Sequence, residues 1–233
     1  MTQDLPNRVF VVTGASGNLG RAVANALAKA GAIRILLDRS PTPDHGADAD
    51  RTLAVGGLDL TDPDAMRPAL DQAVQRFGRI DGLVATVGAY ADGTPVHEQG
   101  WADWSRMIAA NLQTTVAACQ AVIPYLLAHG GRIVTVGARG GVAGSAGAAA
   151  YATAKAGVMR LTESLSEELK DKGVIVNGVL PSIMDTPQNR AAMPRADAAR
   201  WVAPEDVAAV ILFLLSDAAR SVTGALIPVY GRT

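Results

Sequence analysis

The chain has 233 residues with a formal net charge of −1, and 49% of its residues are apolar while 18% are charged. This balance is typical of a compact globular protein and excludes a disordered one, and the length fits a single domain that spans residues 1–233. Lysine and arginine form no basic run, so we expect no nucleic-acid partner.

Four further classes of protein are disfavoured by features along the chain. The longest strongly apolar stretch, Val207 to Leu215, is too short to span a bilayer, so we expect no membrane partner. Met1 to Arg8 lacks an export signal, and a cytoplasmic location is the expectation. The only cysteine, Cys119, excludes an intrachain disulfide, and the scattered histidines lack ligand spacing, so no metal site is predicted.

Short β-branched runs alternate with longer segments of helical period. The predicted strands are Val9 to Thr13, Ile33 to Leu37, Leu53 to Val55, Leu83 to Val87, Arg132 to Val136, Val174 to Val179 and Leu226 to Val229. The predicted helices are Leu19 to Ala30, Pro63 to Arg76, Trp101 to Ala128, Ala148 to Lys170 and Pro204 to Leu215. Apart from a loop at Ser40 to Asp50, the alternation predicts an α/β fold, a doubly wound, Rossmann-like parallel sheet with helices on both faces.

A glycine-rich segment joins the first predicted strand to the first predicted helix. Gly14 and Gly17 allow a tight turn close to a pyrophosphate, while Gly20 permits close packing of helix on strand. The helix N-terminus adds free N–H groups and its dipole. A plain strand-to-helix turn would also use glycine, but this position in the fold predicts a dinucleotide site. Its predicted cofactor contacts are Gly14, Ser16, Gly17, Asn18, Leu19 and Gly20.

An acidic residue at the end of the second predicted strand bears on cofactor choice. Asp38 follows Gly20 by about 18 residues, the spacing at which a carboxylate binds the adenosine ribose hydroxyls. Such a carboxylate repels a 2′-phosphate and favours NAD(H), although Arg39 beside it leaves NADP(H) open. A solvated turn aspartate is the alternative interpretation.

Tyr151 and Lys155 lie four residues apart at the start of a predicted helix, and therefore on one face. A free tyrosine has a pKa near ~10, and a neighbouring ammonium is expected to lower that pKa. The pair would then be a workable acid and base in proton transfer. A surface Tyr/Lys pair is the alternative.

The order of these motifs, followed along the chain together with Asp59, Asn111 and Pro181 to Thr186, resembles the short-chain dehydrogenase/reductase family over nearly the whole sequence. The resemblance implies that Asp59 contacts adenine, that Asn111 holds a water of the proton relay, and that Lys155 also binds the nicotinamide ribose. Further implied cofactor contacts are Leu60, Val87 and Gly88, with Pro181, Ile183 and Thr186 at the carboxamide.

The family resemblance also implies a homodimer or homotetramer acting on a small-molecule substrate. The helices Trp101 to Ala128 and Ala148 to Lys170 are apolar over more than one face, which favours a partner surface. They would pair into a four-helix interface. A light-scattering mass equal to that of one chain would contradict this expectation.

Two positions depart from the common family pattern. Asn18 stands where glycine is usual, and Ala138 stands where a serine normally polarises a substrate carbonyl. Ser145, in the following loop, is a weak substitute for that serine, and Thr135 belongs to a strand and is expected to be structural. Without this donor, oxidation of a simple secondary alcohol is less attractive.

At both of these positions the sequence resembles the quinonoid dihydropteridine reductase subgroup. The stretches Gly137 to Arg139 and Leu180 to Pro194 resemble that subgroup as well. That resemblance implies a flat, conjugated substrate whose C=N system accepts hydride without a serine, with Tyr151 as proton donor. The predicted substrate contacts are Tyr90, Ala138, Arg139 and Asn189. The alternatives are a reductase or dehydrogenase of ordinary ketones, aldehydes or alcohols, and a catalytically decayed dinucleotide-binding sensor or scaffold.

Overall fold

The computed structural model describes residues 5–41 and 48–233 of the chain. Its strands are β1 (Val9–Thr13), β2 (Ile33–Leu37), β3 (Thr52–Val55), β4 (Gly82–Ala85), β5 (Gly131–Val136), β6 (Val174–Pro181) and β7 (Leu226–Val229). They form one parallel sheet in the order β3-β2-β1-β4-β5-β6-β7. The predicted doubly wound, Rossmann-like sheet is therefore confirmed.

Helices cover both faces of this sheet. They are α1 (Asn18–Lys29), α2 (Pro63–Phe77), α3 (Trp101–Ile108), α4 (Thr114–Leu126), α5 (Ala149–Leu169), α6 (Pro187–Ala192) and α7 (Pro204–Leu215). Because side chains alternate along a strand, Phe10 and Val12 of β1 pack in the core with α1 and α7. Val9 and Val11 pack in the opposite core with α2, α4 and α5.

The strand order reverses between β1 and β4, which is where open parallel sheets form a ligand crevice at their carboxyl edge. β4 ends at Ala85, two residues before the predicted end. Thr86, the next residue, is still held to β1, because its Oγ1 donates to the Thr13 backbone oxygen at 2.7 Å. The residues after Thr86 lie beyond the end of β4, at the edge of the sheet where the crevice forms.

The predicted helix Trp101 to Ala128 is helical without a break as far as Leu126, but it is not α-helical throughout. A π-helical turn, Ala109–Gln113, separates α3 from α4. Asn111 is buried inside that turn, and its side-chain Nδ2 donates to the backbone oxygens of Met107 and Ala89, each at 3.0 Å. The wider turn accommodates an extra residue and is common at functional sites.

The remaining sequence predictions concern one loop, the cysteine, membrane-spanning helices and metal ligands. Of the loop predicted at Ser40 to Asp50, positions 42–47 lie outside the described residues. Cys119 is buried, and burial raises the pKa of its thiol to about 12, so it is protonated at neutral pH. None of the helices described is both long and apolar enough to cross a membrane. Within residues 5–41 and 48–233, no cluster of metal-ligating side chains occurs.

Candidate active site

The glycine-rich loop has the geometry of a phosphate cradle at the start of α1. Gly14 has a φ of +71°, and a Cβ built on Gly20 would lie 2.1 Å from the Gly14 backbone oxygen. No side chain caps the N-terminus of α1, and its first turn contains no acidic residue. The N–H groups and the dipole of α1 are therefore available to a pyrophosphate, so the loop fits a dinucleotide.

Asp38 is held in place by the phosphate loop. Its Oδ2 accepts from the Ser16 backbone N–H at 2.7 Å, and its Oδ1 accepts from that of Ser40 at 2.8 Å. Burial raises the pKa of this carboxyl, but the hydrogen bonds from Ser40 and Ser16 outweigh burial and leave the pKa below its ordinary value. The solvated-turn interpretation is wrong, because Asp38 is 7% exposed, whereas Arg39 is exposed.

The residues expected around the adenine and just after β4 make different kinds of contact. Asp59 accepts from the Thr61 hydroxyl at 2.7 Å and the Thr61 backbone N–H at 2.9 Å, and these bonds lower its pKa. Leu60 has its side chain in the apolar core, so it can reach a cofactor only through its backbone. Val87 touches the phosphate loop: its Cγ2 lies 3.0 Å from where a Gly14 Cβ would be.

Gly88 brings the backbone of the β4–α3 loop against two polar side chains. A Cβ at Gly88 would lie 3.0 Å from Asn111 Oδ1 and 3.2 Å from Lys155 Nζ. The same Asn111 oxygen accepts from the Ala89 backbone N–H at 3.1 Å. Lys155 is buried, and its Nζ donates to the Val136 backbone oxygen at 2.9 Å. The structure therefore brings Gly88, Asn111 and Lys155 together, as expected for parts of one site.

The protonation of the Tyr/Lys pair differs from expectation. The pKa of Tyr151 was expected to fall beside an ammonium, yet burial and then the nearby Tyr90 raise it to about 12. Burial also lowers the pKa of Lys155 to about 8. The physical reason is that both groups are removed from water, which disfavours the charged form of each. In the ligand-free protein, Tyr151 thus holds its proton at neutral pH.

The Tyr90 ring lies against Tyr151 at the mouth of the site. The ring centroids are 4.8 Å apart with the planes at 81°, an edge-to-face contact. The Tyr90 hydroxyl donates to Asp92 Oδ2 at 2.7 Å, while 62% of the residue is exposed. An aromatic surface is therefore available to a substrate beside the proton donor.

Position 138 itself offers no hydroxyl at the end of β5. Ala138 is buried in extended backbone, with only a methyl group to offer. Thr135 is buried and its hydroxyl pairs with that of Thr162 at 2.6 Å, so its expected structural role fits. Ser145 is exposed on the following loop. Arg139, directly after Ala138, lies over the Tyr230 ring, with Cζ 5.3 Å from the centroid.

The segment after β6 is stabilised by hydrogen bonds between its own residues. Thr186 is the N-cap of α6, and its Oγ1 accepts from the Asn189 backbone N–H at 3.2 Å. The side-chain Nδ2 of Asn189 donates to the Met184 backbone oxygen at 2.8 Å. One hydrogen-bond donor of this amide is therefore engaged within the segment. Pro181 is the last residue of β6, and Ile183 beyond it is 39% exposed.

One contact across the crevice has no signal in the sequence. Asn18 Nδ2, in the phosphate loop, donates to Gln188 Oε1 in α6 at 2.9 Å. The two residues are far apart in the chain, and nothing in their local patterns predicts that they meet. The contact connects the segment after β6 to the cofactor side of the site.

Comparisons with known proteins agree with this geometry. The short chain dehydrogenase family matches residues 8–197. The chain is 38% identical to a cis-4-hydroxycyclohexanecarboxylate dehydrogenase of Sinomonas cyclohexanicum, over 99% of this chain and 98% of that protein. It is 33% identical to a 3-oxoacyl-acyl-carrier-protein reductase of Thermotoga maritima, over 97% and 98% of the two chains.

Solved structures give the same result. A carveol dehydrogenase from Mycobacterium avium in complex with NAD superposes with a TM-score of 0.86 at 28% identity, covering 98% of each chain. These relatives are dehydrogenases and ketoacyl reductases rather than dihydropteridine reductases, so they establish the family and not the narrower subgroup. The chain belongs to the short-chain dehydrogenase/reductase family and is an NAD(P)-dependent oxidoreductase.

Proposed function

We propose that this chain is an NAD(H)-dependent reductase of a conjugated, imine-like planar substrate, similar to a quinonoid dihydropteridine. The observation that carries the proposal is Ala138, a buried methyl group where the family usually has a serine hydroxyl. A donor aimed at a developing alkoxide is worth about 3 kcal/mol in a transition state. A conjugated C=N system takes its proton on nitrogen and does not need that donor.

The residues around the crevice supply the rest of the reaction. When bound, NADH supplies hydride from nicotinamide C4, and Pro181, Ile183 and Thr186 are the proposed contacts of its carboxamide. Tyr151 would donate its phenolic proton to a nitrogen of the conjugated substrate as that system is reduced. The phenolate regains a proton through Lys155 and a water at Asn111. The position of Tyr151, with its ring against Tyr90 and against the turn at Gly140, supports its role as donor.

The proposal is tested by following NADH oxidation with a quinonoid dihydropterin and with a panel of ketones and aldehydes. Turnover of the dihydropterin at a higher kcat/KM than any simple carbonyl supports it. Turnover of carbonyls alone contradicts it and favours an ordinary carbonyl reductase. Tight NADH binding with no turnover of either class would instead indicate a decayed sensor or scaffold.

A second candidate function is the interconversion of a cyclic hydroxy acid and its oxo acid. The observation that favours it is the 38% identity, over nearly the whole chain, with the cis-4-hydroxycyclohexanecarboxylate dehydrogenase. In this reaction a substrate or solvent group would have to replace the serine hydroxyl. Including 4-oxocyclohexanecarboxylate in the panel distinguishes the two functions.

Replacing Ala138 with serine is expected to raise kcat/KM for simple ketones by about tenfold or more, because it restores a donor to the substrate oxygen. Turnover of a quinonoid dihydropterin should change little. Ala143→Ser, an exposed position on the same loop, is the matched control. Steady-state kinetics of both variants check this. Unchanged ketone turnover in Ala138→Ser would mean that residue 138 does not set substrate choice.

We further propose that NAD(H) is preferred over NADP(H), because the Asp38 carboxylate is anionic and buried next to Ser16 of the phosphate loop. Asp38→Asn should shift the ratio of kcat/KM for NADPH to that for NADH by about tenfold towards NADPH, since repulsion of the 2′-phosphate is removed. Asp64→Asn, an exposed carboxylate in α2, is the control and should leave the ratio unchanged. A wild-type preference for NADPH would overturn the proposal.

A further inference from the structure

Arg139 is an exposed residue just after β5, and residues from distant parts of the chain support it. It follows Ala138 at the end of β5, and its guanidinium lies over the ring of Tyr230, which follows β7. The Ser182 hydroxyl donates to the Tyr230 backbone oxygen at 2.8 Å, which ties Tyr230 to the end of β6. Because β6 lies between β5 and β7 in the sheet, the Arg139 side chain crosses the carboxyl end of β6.

The charge of Arg139 is not used elsewhere in the part of the chain that the structure describes. Within residues 5–41 and 48–233, its guanidinium takes part in no ion pair and donates no side-chain hydrogen bond. Arg190, on the neighbouring segment, is by contrast held by both carboxylate oxygens of Asp185, at 2.5 and 2.7 Å. A guanidinium that stacks on an aromatic face keeps its N–H edge free for a planar anion.

The turn that begins at Arg139 also contacts the proposed proton donor. Gly140 follows Arg139 directly, and a Cβ at Gly140 would lie 3.2 Å from Cε1 of Tyr151. The turn that positions Arg139, Arg139–Gly141, is therefore packed against the ring of the proton donor. A substrate that reaches the Tyr151 hydroxyl passes close to this turn.

We propose that Arg139, stacked on Tyr230, is a specificity-determining residue that binds a carboxylate of the substrate. The inference rests on the proposed function for the location of the reacting centre, and adds the substrate class: a planar or cyclic compound with an anionic group at one end. A single arginine with a planar fork of N–H donors matches one carboxylate, which it can bind through two parallel hydrogen bonds.

Binding of benzoate and benzamide tests this inference without any turnover. The two probes have nearly the same shape and differ in charge, so calorimetric titration of each into the NADH-saturated protein isolates the contribution of the anion. We expect the wild-type protein to bind benzoate about tenfold more tightly than benzamide. In Arg139→Gln this preference should disappear, while the affinity for NADH and the melting temperature remain those of the wild type.

Arg220→Gln is the matched control, and Arg139→Lys separates charge from shape. Arg220 is exposed and follows the turn in which Asp217 pairs with Arg8 and Arg132, at the amino edge of the sheet. Its substitution should leave the benzoate preference intact. Arg139→Lys retains the charge but not the planar fork, and should keep only part of the preference.

Several results would overturn the inference. These are equal affinity of the wild-type protein for both probes, no measurable binding of either, and full benzoate preference in Arg139→Gln. The proposed reaction fails separately: benzoate preference without turnover of conjugated substrates contradicts the reaction and supports the carboxylate site. Rapid turnover of a neutral conjugated substrate without any benzoate preference supports the reaction and contradicts the site.

Discussion

Replacing Tyr151 with phenylalanine is expected to lower kcat for NADH-dependent reduction by about 100- to 10,000-fold, the range typical of losing a positioned general acid. The change removes one hydroxyl and leaves the ring, so the edge-to-face contact with Tyr90 and the fold should persist. The affinity for NADH should change little. Single-turnover kinetics at saturating NADH measure the loss in the chemical step directly.

The matched control for this prediction is Tyr125→Phe. The Tyr125 hydroxyl also has a polar partner, since it donates to Asp71 Oδ1 at 2.7 Å. Tyr125, however, lies in α4, and its partner Asp71 lies in α2. Its loss should leave kcat unchanged. If Tyr151→Phe retained wild-type kcat, the proton would have to come from another group, and the assignment of Tyr151 as donor would be wrong.

Replacing Gly20 with alanine is expected to abolish NADH binding and to lower the free energy of unfolding by about 1–3 kcal/mol. The new methyl group would lie 2.1 Å from the Gly14 backbone oxygen and 2.9 Å from the Ala15 Cα. These neighbours are backbone atoms and cannot rotate away, so the phosphate loop must shift and lose its geometry. Fluorescence titration with NADH and chemical denaturation check the two effects.

Gly144→Ala is the control for that substitution. Nothing lies within 4 Å of a Cβ at Gly144, and its backbone does not need a positive φ. This variant should bind NADH and unfold as the wild-type protein does. Normal NADH affinity in Gly20→Ala would mean that the cofactor does not depend on the close packing of α1 against the loop.

The features that were predictable from the sequence are those with local causes. Alternation of strands and helices predicts the sheet, and the spacing of Gly14, Gly17 and Gly20 predicts the turn that leads into α1. The four-residue spacing of Tyr151 and Lys155 places both on one face of α5, because a helix repeats every 3.6 residues.

The features that were not predictable depend on contacts between distant segments. The π-helical turn at Asn111 has no periodic signature, and the stacking of Arg139 on Tyr230 joins the ends of two separate strands. The direction of the Tyr151 pKa was also missed. The spacing alone predicts that the neighbouring ammonium lowers the pKa of Tyr151. The packing around the site instead removes both Tyr151 and Lys155 from water.

The hydrogen bond between Ser16 and Asp38 has a consequence for engineering the protein. Cofactor choice is usually redesigned by exchanging the acidic residue for a small or basic one. In this chain the carboxylate also fixes a backbone N–H of the phosphate loop, at 2.7 Å. A redesign that removes the carboxylate changes cofactor selectivity and also removes a hydrogen bond that holds the loop. A library should therefore vary residues 16 and 38 together rather than position 38 alone.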